Sequence, residues 1–90
     1  MADEHVYRVI VNRAKPSYYQ ARRQTKTGTA RMVAGMVKDF LQHKRNIAYY
    51  KAHHPDLYSS ESETDRIQIL RAPVGGWDDV TDEMLEKYGG

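Results

Sequence analysis

The stretch from Thr27 to His54 constrains this 90-residue chain more than any other. It opens with Thr27, Gly28 and Thr29, carries Ala30, Val33, Met36, Val37, Phe40 and Leu41 at helical spacing, and runs on to Pro55. At about 100° per residue those six apolar side chains share one broad stripe, with Lys38, Asp39, Gln42 and Arg45 largely elsewhere. An amphipathic helix is therefore predicted, and its stripe has to be buried against another element. Thr27 or Thr29 offers an oxygen to the unpaired amides of the first turn, and Gly28 eases the change of direction. Beyond Leu41 the stripe is interrupted, because Lys44 and Lys51 project onto the Val33 face while Ile47 and Ala48 still point inward. A straight helix over the whole stretch would run roughly 37 Å, against about 26 Å for an eight-residue strand. The excess has to kink, stop or project. A break near residues 43–46 is expected, followed by a second helical segment that Pro55 ends.

The sheet that such a helix covers is read from three short segments. Val6 to Arg13 is rich in β-branched and aromatic residues, with Tyr7, Val9 and Val11 on the face to be covered and Val6, Arg8, Ile10 and Asn12 on the other. Ala14 to Ser17, with Lys15 and Pro16 between them, makes a connection, and Tyr18 to about Thr25 resumes as a weakly amphipathic edge strand, which gives a hairpin. Arg66 to Ala72 is the third strand, stopped by Pro73 and Gly75-Gly76. Between helix and third strand, residues 59–65 form a polar and mobile loop. Trp77 closes an edge of the core, and Thr81 caps a short helix that ends at Gly89. The expected fold is α+β, a single small domain over residues 1–90. Its order is ββαβ with a further short α, its sheet three-stranded and antiparallel, with the third strand beside the first and one face under the central helix.

Composition narrows the functional classes. The hydrophobic share is 40% and the charged share 29%, both ordinary for a globular domain, and no run approaches the ~18 apolar residues of a membrane span. The Met-Ala-Asp-Glu start lacks the pattern of a secretory signal, so a cytoplasmic location is expected. Without cysteine there are no disulfides or thiolate metal sites. The net charge of +2 hides a division: residues 1–54 hold eleven Lys and Arg against three Asp and Glu, and residues 55–90 hold three against nine. Either a basic surface faces an acidic partner, or the acidic tail at residues 77–90 folds back on the basic half.

The Tyr7-Arg8-Val9 strand, the Thr25-to-Ala30 segment at the helix start, and Arg66 to Val74 followed by Trp77 to Thr81 are similar to small accessory proteins of bacteriophages that infect actinobacteria. The resemblance covers most of the chain. It implies a non-structural viral protein acting in a bacterial cytoplasm, and it supplies no catalytic residue.

Chemistry is sparse. His53-His54-Pro55-Asp56, with His43 ten residues earlier, has metal-ligand residue types but no third ligand placed by spacing. No nucleophile elbow, phosphate-binding glycine loop or carboxylate pair is present, so neither catalysis nor a cofactor or metal is expected. Binding is the remaining class. One surface combines Arg8, Arg13, Lys15, Arg22, Arg23, Lys26, Arg31, Lys44 and Arg45 with Tyr18, Tyr19, Tyr49 and Tyr50, which suits phosphates with stacked bases, or an acidic partner. Another is apolar, around Val6, Ile10 and Trp77. The leading expectation is an accessory protein that binds and modulates a host or viral protein. The alternatives are a nucleic-acid-binding protein using DNA or RNA as partner, and a homo-oligomer paired through the same strand face.

Overall fold

Alternating apolar residues in Val6–Asn12 give strand β1 at the centre of a computed structural model that describes residues 5–14, 21–72 and 76–89. Tyr7, Val9 and Val11 are buried as their shared face predicts. β1 pairs antiparallel with β2 (Arg23–Gly28) on one side and with β3 (Arg66–Ala72) on the other. A two-residue strand, β4 (Asp78–Asp79), adds to β3, so the sheet has four strands in the order β2-β1-β3-β4 rather than the three expected. Ile69 on β3 completes the covered face.

The hairpin partner is displaced along the chain. Its expected span began at Tyr18, whereas β2 starts at Arg23 and continues through Thr27 and Gly28, which were expected to belong to the helix start. Thr25 and Thr27 lie directly opposite Ile10 and Arg8, and ladder pairing satisfies their backbone groups better than a cap would. Lys15, Pro16, Tyr18 and Tyr19 lie outside the described residues, as do Pro73 and Gly75.

Helix α1 spans Ala30–His53, 24 residues without interruption. The expected break near residues 43–46 is absent. Gln42, Lys44 and Arg45 are good helix formers, the segment contains neither Pro nor Gly, and polar contacts run along it. Gln42 Nε2 donates to Asn46 Oδ1 at 3.0 Å, and Arg45 donates to Gln42 Oε1 at 3.0 Å. Thr29 does occupy the N-cap position, yet its side chain makes no capping hydrogen bond. At 1.5 Å per residue α1 is about 36 Å long against about 24 Å for the seven-residue β1. The excess projects past the sheet, and the molecule measures 48 × 25 × 19 Å. Lys44 and Lys51 interrupt the stripe harmlessly, because they lie beyond the part that the sheet meets.

The chain returns beneath this overhang. Residues 60–64, within the stretch expected as a mobile polar loop, form a 3-10 helix, Ser60–Thr64, held to α1 by named contacts. Lys44 Nζ donates to the Glu63 carbonyl at 3.2 Å, and Lys51 Nζ lies 3.3 Å from Glu63 Oε1. Leu57, just ahead of this segment, is 69% exposed.

The final helix, α2 (Thr81–Gly89), is a core element despite its short length. Val80 and Met84 are buried with Val33, Val37 and Ile69, and Leu85 and Tyr88 pack beside them. Thr81 stitches the helix to β3: its hydroxyl accepts the Ile69 N–H at 2.9 Å and donates to Asp79 Oδ1 at 2.7 Å. α2 approaches α1 closely at Gly89, where a Cβ would make Leu41 Cδ1 turn aside. Both helices thus cover one face of the sheet, and among the described residues no helix covers the other, the open face.

Candidate functional site

Cross-strand register determines which residues the open face presents. Directly opposed residues share a face, so the Asn12 position of β1 forms a row with Arg23 of β2 and Arg66 of β3. All three are exposed. The next row is Thr25, Ile10 and Gln68, and the one after it Thr27, Arg8, Leu70 and Asp79. With strands about 4.8 Å apart, the Arg23 and Arg66 backbones are separated by about 10 Å, and Arg8 lies about 14 Å along β1 from Asn12.

Arg8 does more than contribute charge. Its guanidinium carbon sits 4.4 Å from the Trp77 ring centroid, which places the indole on this face instead of at the edge of the core. Trp77 is 40% exposed. Ile10, expected to be an exposed apolar contact, is only 7% exposed and is withdrawn from any surface. Of the apolar trio read from the sequence, Val6 and Trp77 remain accessible, and Trp77 carries an arginine.

The single acid in these rows is already engaged. The Asp79 carboxylate accepts the Thr81 hydroxyl and N–H and the Gln68 side-chain amide at 3.1 Å. These hydrogen bonds, the Thr81 hydroxyl's foremost, hold its carboxyl below the usual carboxylate range. Of the acids on α2, Asp82 borders the same face, lining a shallow cleft with Asn12, Arg66, Gln68 and Asp79, whereas Met84 of that helix is packed in the core. Glu83 is paired with Arg71 at 3.3 Å.

The remaining cations divide between two other places. Arg13 and Lys26 line a cleft of about 380 Å³ between β2 and α1, together with Gln24, Asp39, His43 and Asp65 over Val11, Met36 and Phe40. Arg13 donates to the Ala21 carbonyl and Gln24, and Arg22 donates to the Ala14 carbonyl, so both brace the mouth of the hairpin. Arg31 is exposed on the first turn of α1. Lys44 and Lys51 are committed to Glu63, while Arg45 stays exposed on the helix. Glu63 is held below the usual carboxylate range by hydrogen bonds from Tyr58 and Lys51, and Lys51 and Tyr58 are both raised, chiefly by hydrogen bonding to Glu63.

Tyr49 and Tyr50 project at the end of α1, where Tyr49 stacks against His53 with 4.6 Å between ring centroids. They are 54% and 43% exposed, on the length of α1 that projects past the sheet. The basic, tyrosine-containing surface read from the sequence is therefore split three ways, with Lys15, Tyr18 and Tyr19 outside the described residues. Arg66, Asn12 and Gln68 complete the open face and were not singled out. Their signal was the even spacing of Arg66, Gln68 and Leu70, which acquires meaning once β3 is registered against β1.

Among the described residues no group of three His, Asp or Glu side chains is placed to hold a metal ion, and no helix is long and apolar enough to cross a membrane. No family model, curated protein or solved structure matches this chain.

Proposed function

We propose that this protein is a non-catalytic binding protein that takes single-stranded nucleic acid over the open face of its sheet. The observation that carries the reading is the register that puts Arg23, Asn12 and Arg66 in one row and Arg8 with Trp77 on the same face. Arginine forks suit phosphate oxygens, Asn12 and Gln68 suit base edges, and an exposed indole suits a base. The acids of the C-terminal stretch approach this face only at its β3 side, where Asp79, held by Thr81 and Gln68, and Asp82 border Arg66, while Glu83 is paired with Arg71. Pairing two copies face to face is disfavoured, because it would bring arginine rows together.

Binding of labelled oligothymidine and of duplex DNA over a salt series tests this. Three arginine–phosphate contacts give a slope of log affinity against log salt near about −2, and each Arg→Gln change at Arg8, Arg23 or Arg66 reduces it by about 0.7. Replacing Trp77 with Ala removes about 1–3 kcal/mol if a base stacks there. No affinity for the single strand at low salt sinks the reading.

A second reading is favoured by one observation, the exposed cluster of Tyr49, Tyr50 and Leu57 at the far end of α1. It assigns that end to a partner protein, aromatic anchors being the commonest centres of such contacts. A Tyr49→Ala, Tyr50→Ala double variant should then lose a partner that co-purifies with the wild-type chain while keeping its oligonucleotide affinity. Retention of that partner removes the second reading.

A further inference from the structure

The cleft on the helix side of the sheet has a composition that the open face does not explain. Its floor is apolar, made of Val11, Met36 and Phe40, and one wall carries Arg13 and Lys26. His43 is fixed in the opposite wall by Asp65, whose side chain is 4% exposed and whose Oδ2 lies 2.7 Å from the histidine Nε2. The other oxygen of Asp65 accepts the Ala14 N–H at 2.9 Å, so the histidine is held by a carboxylate that is itself immobilised. Lys26 is exposed in β2 and stands on the helix side, opposite Val9. The volume of about 380 Å³ falls at the lower end of small-molecule sites, which pair an apolar bed with a few convergent polar groups.

We propose that this cleft binds a small amphipathic anion, an aromatic or aliphatic body bearing one carboxylate or phosphate, with the acidic group between Arg13 and Lys26 and the body over Met36 and Phe40. The arrangement of charge sets the ligand class. Arg13 and Lys26 supply two cations, and Asp39 on the rim opposes them with one exposed acid. Asp65 is turned to His43 and Ala14. The lining is balanced overall, so it is the two cations together, away from the engaged Asp65, that favour one anionic group on a body large enough to cover the floor. The site lies across the sheet from Arg8 and Trp77, so it stands apart from the nucleic-acid reading.

Asp39 makes the proposal sharply testable, because charge removal at two residues of one rim should act in opposite directions. Phenyl phosphate and benzoate are titrated separately into the full chain, and amide shifts are followed by NMR. Saturable shifts at Val11, Gln24 and Phe40 with either compound are expected. Lys26→Gln should weaken binding about threefold and Asp39→Asn should tighten it about threefold, the size of a partly exposed charge pair. Neither residue is buried, and unchanged far-UV circular dichroism of both variants excludes a folding effect. Three results would overturn the proposal: no saturable shift with either compound at millimolar concentration, affinities indifferent to both substitutions, or inorganic phosphate binding as tightly as phenyl phosphate.

Discussion

His43 Nε2 meets Asp65 Oδ2 at 2.7 Å although 22 residues separate the two in the chain. Through its second oxygen Asp65 also holds the Ala14 N–H, so one buried carboxylate joins the end of β1, the middle of α1 and the entry to β3. Replacing Asp65 with Ala leaves both partners without an acceptor and should cost about 1–3 kcal/mol. Asp65→Asn keeps an oxygen for the Ala14 amide and should cost less. Urea unfolding midpoints of the two variants check this, and equal losses would show that the Ala14 bond contributes nothing.

The continuity of α1 is open to a direct assay. Asn46 lies inside the helix, where proline removes one hydrogen bond and clashes with the preceding turn, at a cost of about 3 kcal/mol or more. Asn46→Pro should lower helical circular dichroism and stability together. A chain that already broke at residues 43–46 would accept the proline with little change.

One substitution should act differently at two glycines. Gly35 is exposed in the middle of α1 and a Cβ there meets nothing within 4 Å, so Gly35→Ala should stabilise by up to about 1 kcal/mol through helix propensity. At Gly89 the new methyl would meet Leu41 Cδ1, the free end of a side chain that has to turn aside, with Val37 at ordinary contact distance, so Gly89→Ala should gain less than Gly35→Ala. Thermal melts of the two single variants give the comparison.

Acid should loosen two corners of the molecule before the core. Asp79 and Glu63 both have carboxyls held below their ordinary range by hydrogen bonds made to the ionised form. A carboxyl lowered on folding stabilises the native state above its unfolded pKa, and that contribution is lost as pH falls through the folded value. The raised Lys51 and Tyr58 act in the other direction, stabilising below their unfolded values and losing that contribution as pH rises through the folded ones. Amide protection relative to the intrinsic exchange rate should therefore fall at residues 60–64 below the usual carboxylate range and again above the usual lysine and tyrosine range. At residues 79–82 it should fall on the acid side only. Protection at residues 79–82 that does not fall in acid would remove Asp79 from this role.

What the sequence made legible follows from periodicity. β1, β3 and the first half of α1 carry clear two-residue or helical repeats of apolar side chains, and their positions and the antiparallel neighbouring of β1 and β3 agree with expectation. β2 reads Arg-Gln-Thr-Lys-Thr-Gly, with no apolar alternation, because Gln24 and Lys26 sit on the covered side at an edge where α1 leaves room for water. Its limits are set by pairing with β1, which local sequence does not encode. Lys44 and Lys51 were misleading for a related reason: a charge on a helical stripe is disruptive only where that stripe is buried. In the open face, Arg8 and Arg23 were legible as cations, but Arg66 joins them through register alone. Asp65 was one acid in a polar run until the fold brought His43 beside it.

The projecting end of α1 also divides the chain by what its residues are answerable to. From Val33 to Leu41 the helix faces Val9, Ile69 and Met84, and substitutions there are felt as folding free energy. Past His43 it answers chiefly to Glu63 and to solvent, so Tyr49, Tyr50 and Arg45 can change with hardly any effect on whether the domain folds. The same continuous helix thereby serves as a foundation over one length and as an interchangeable fitting over the next.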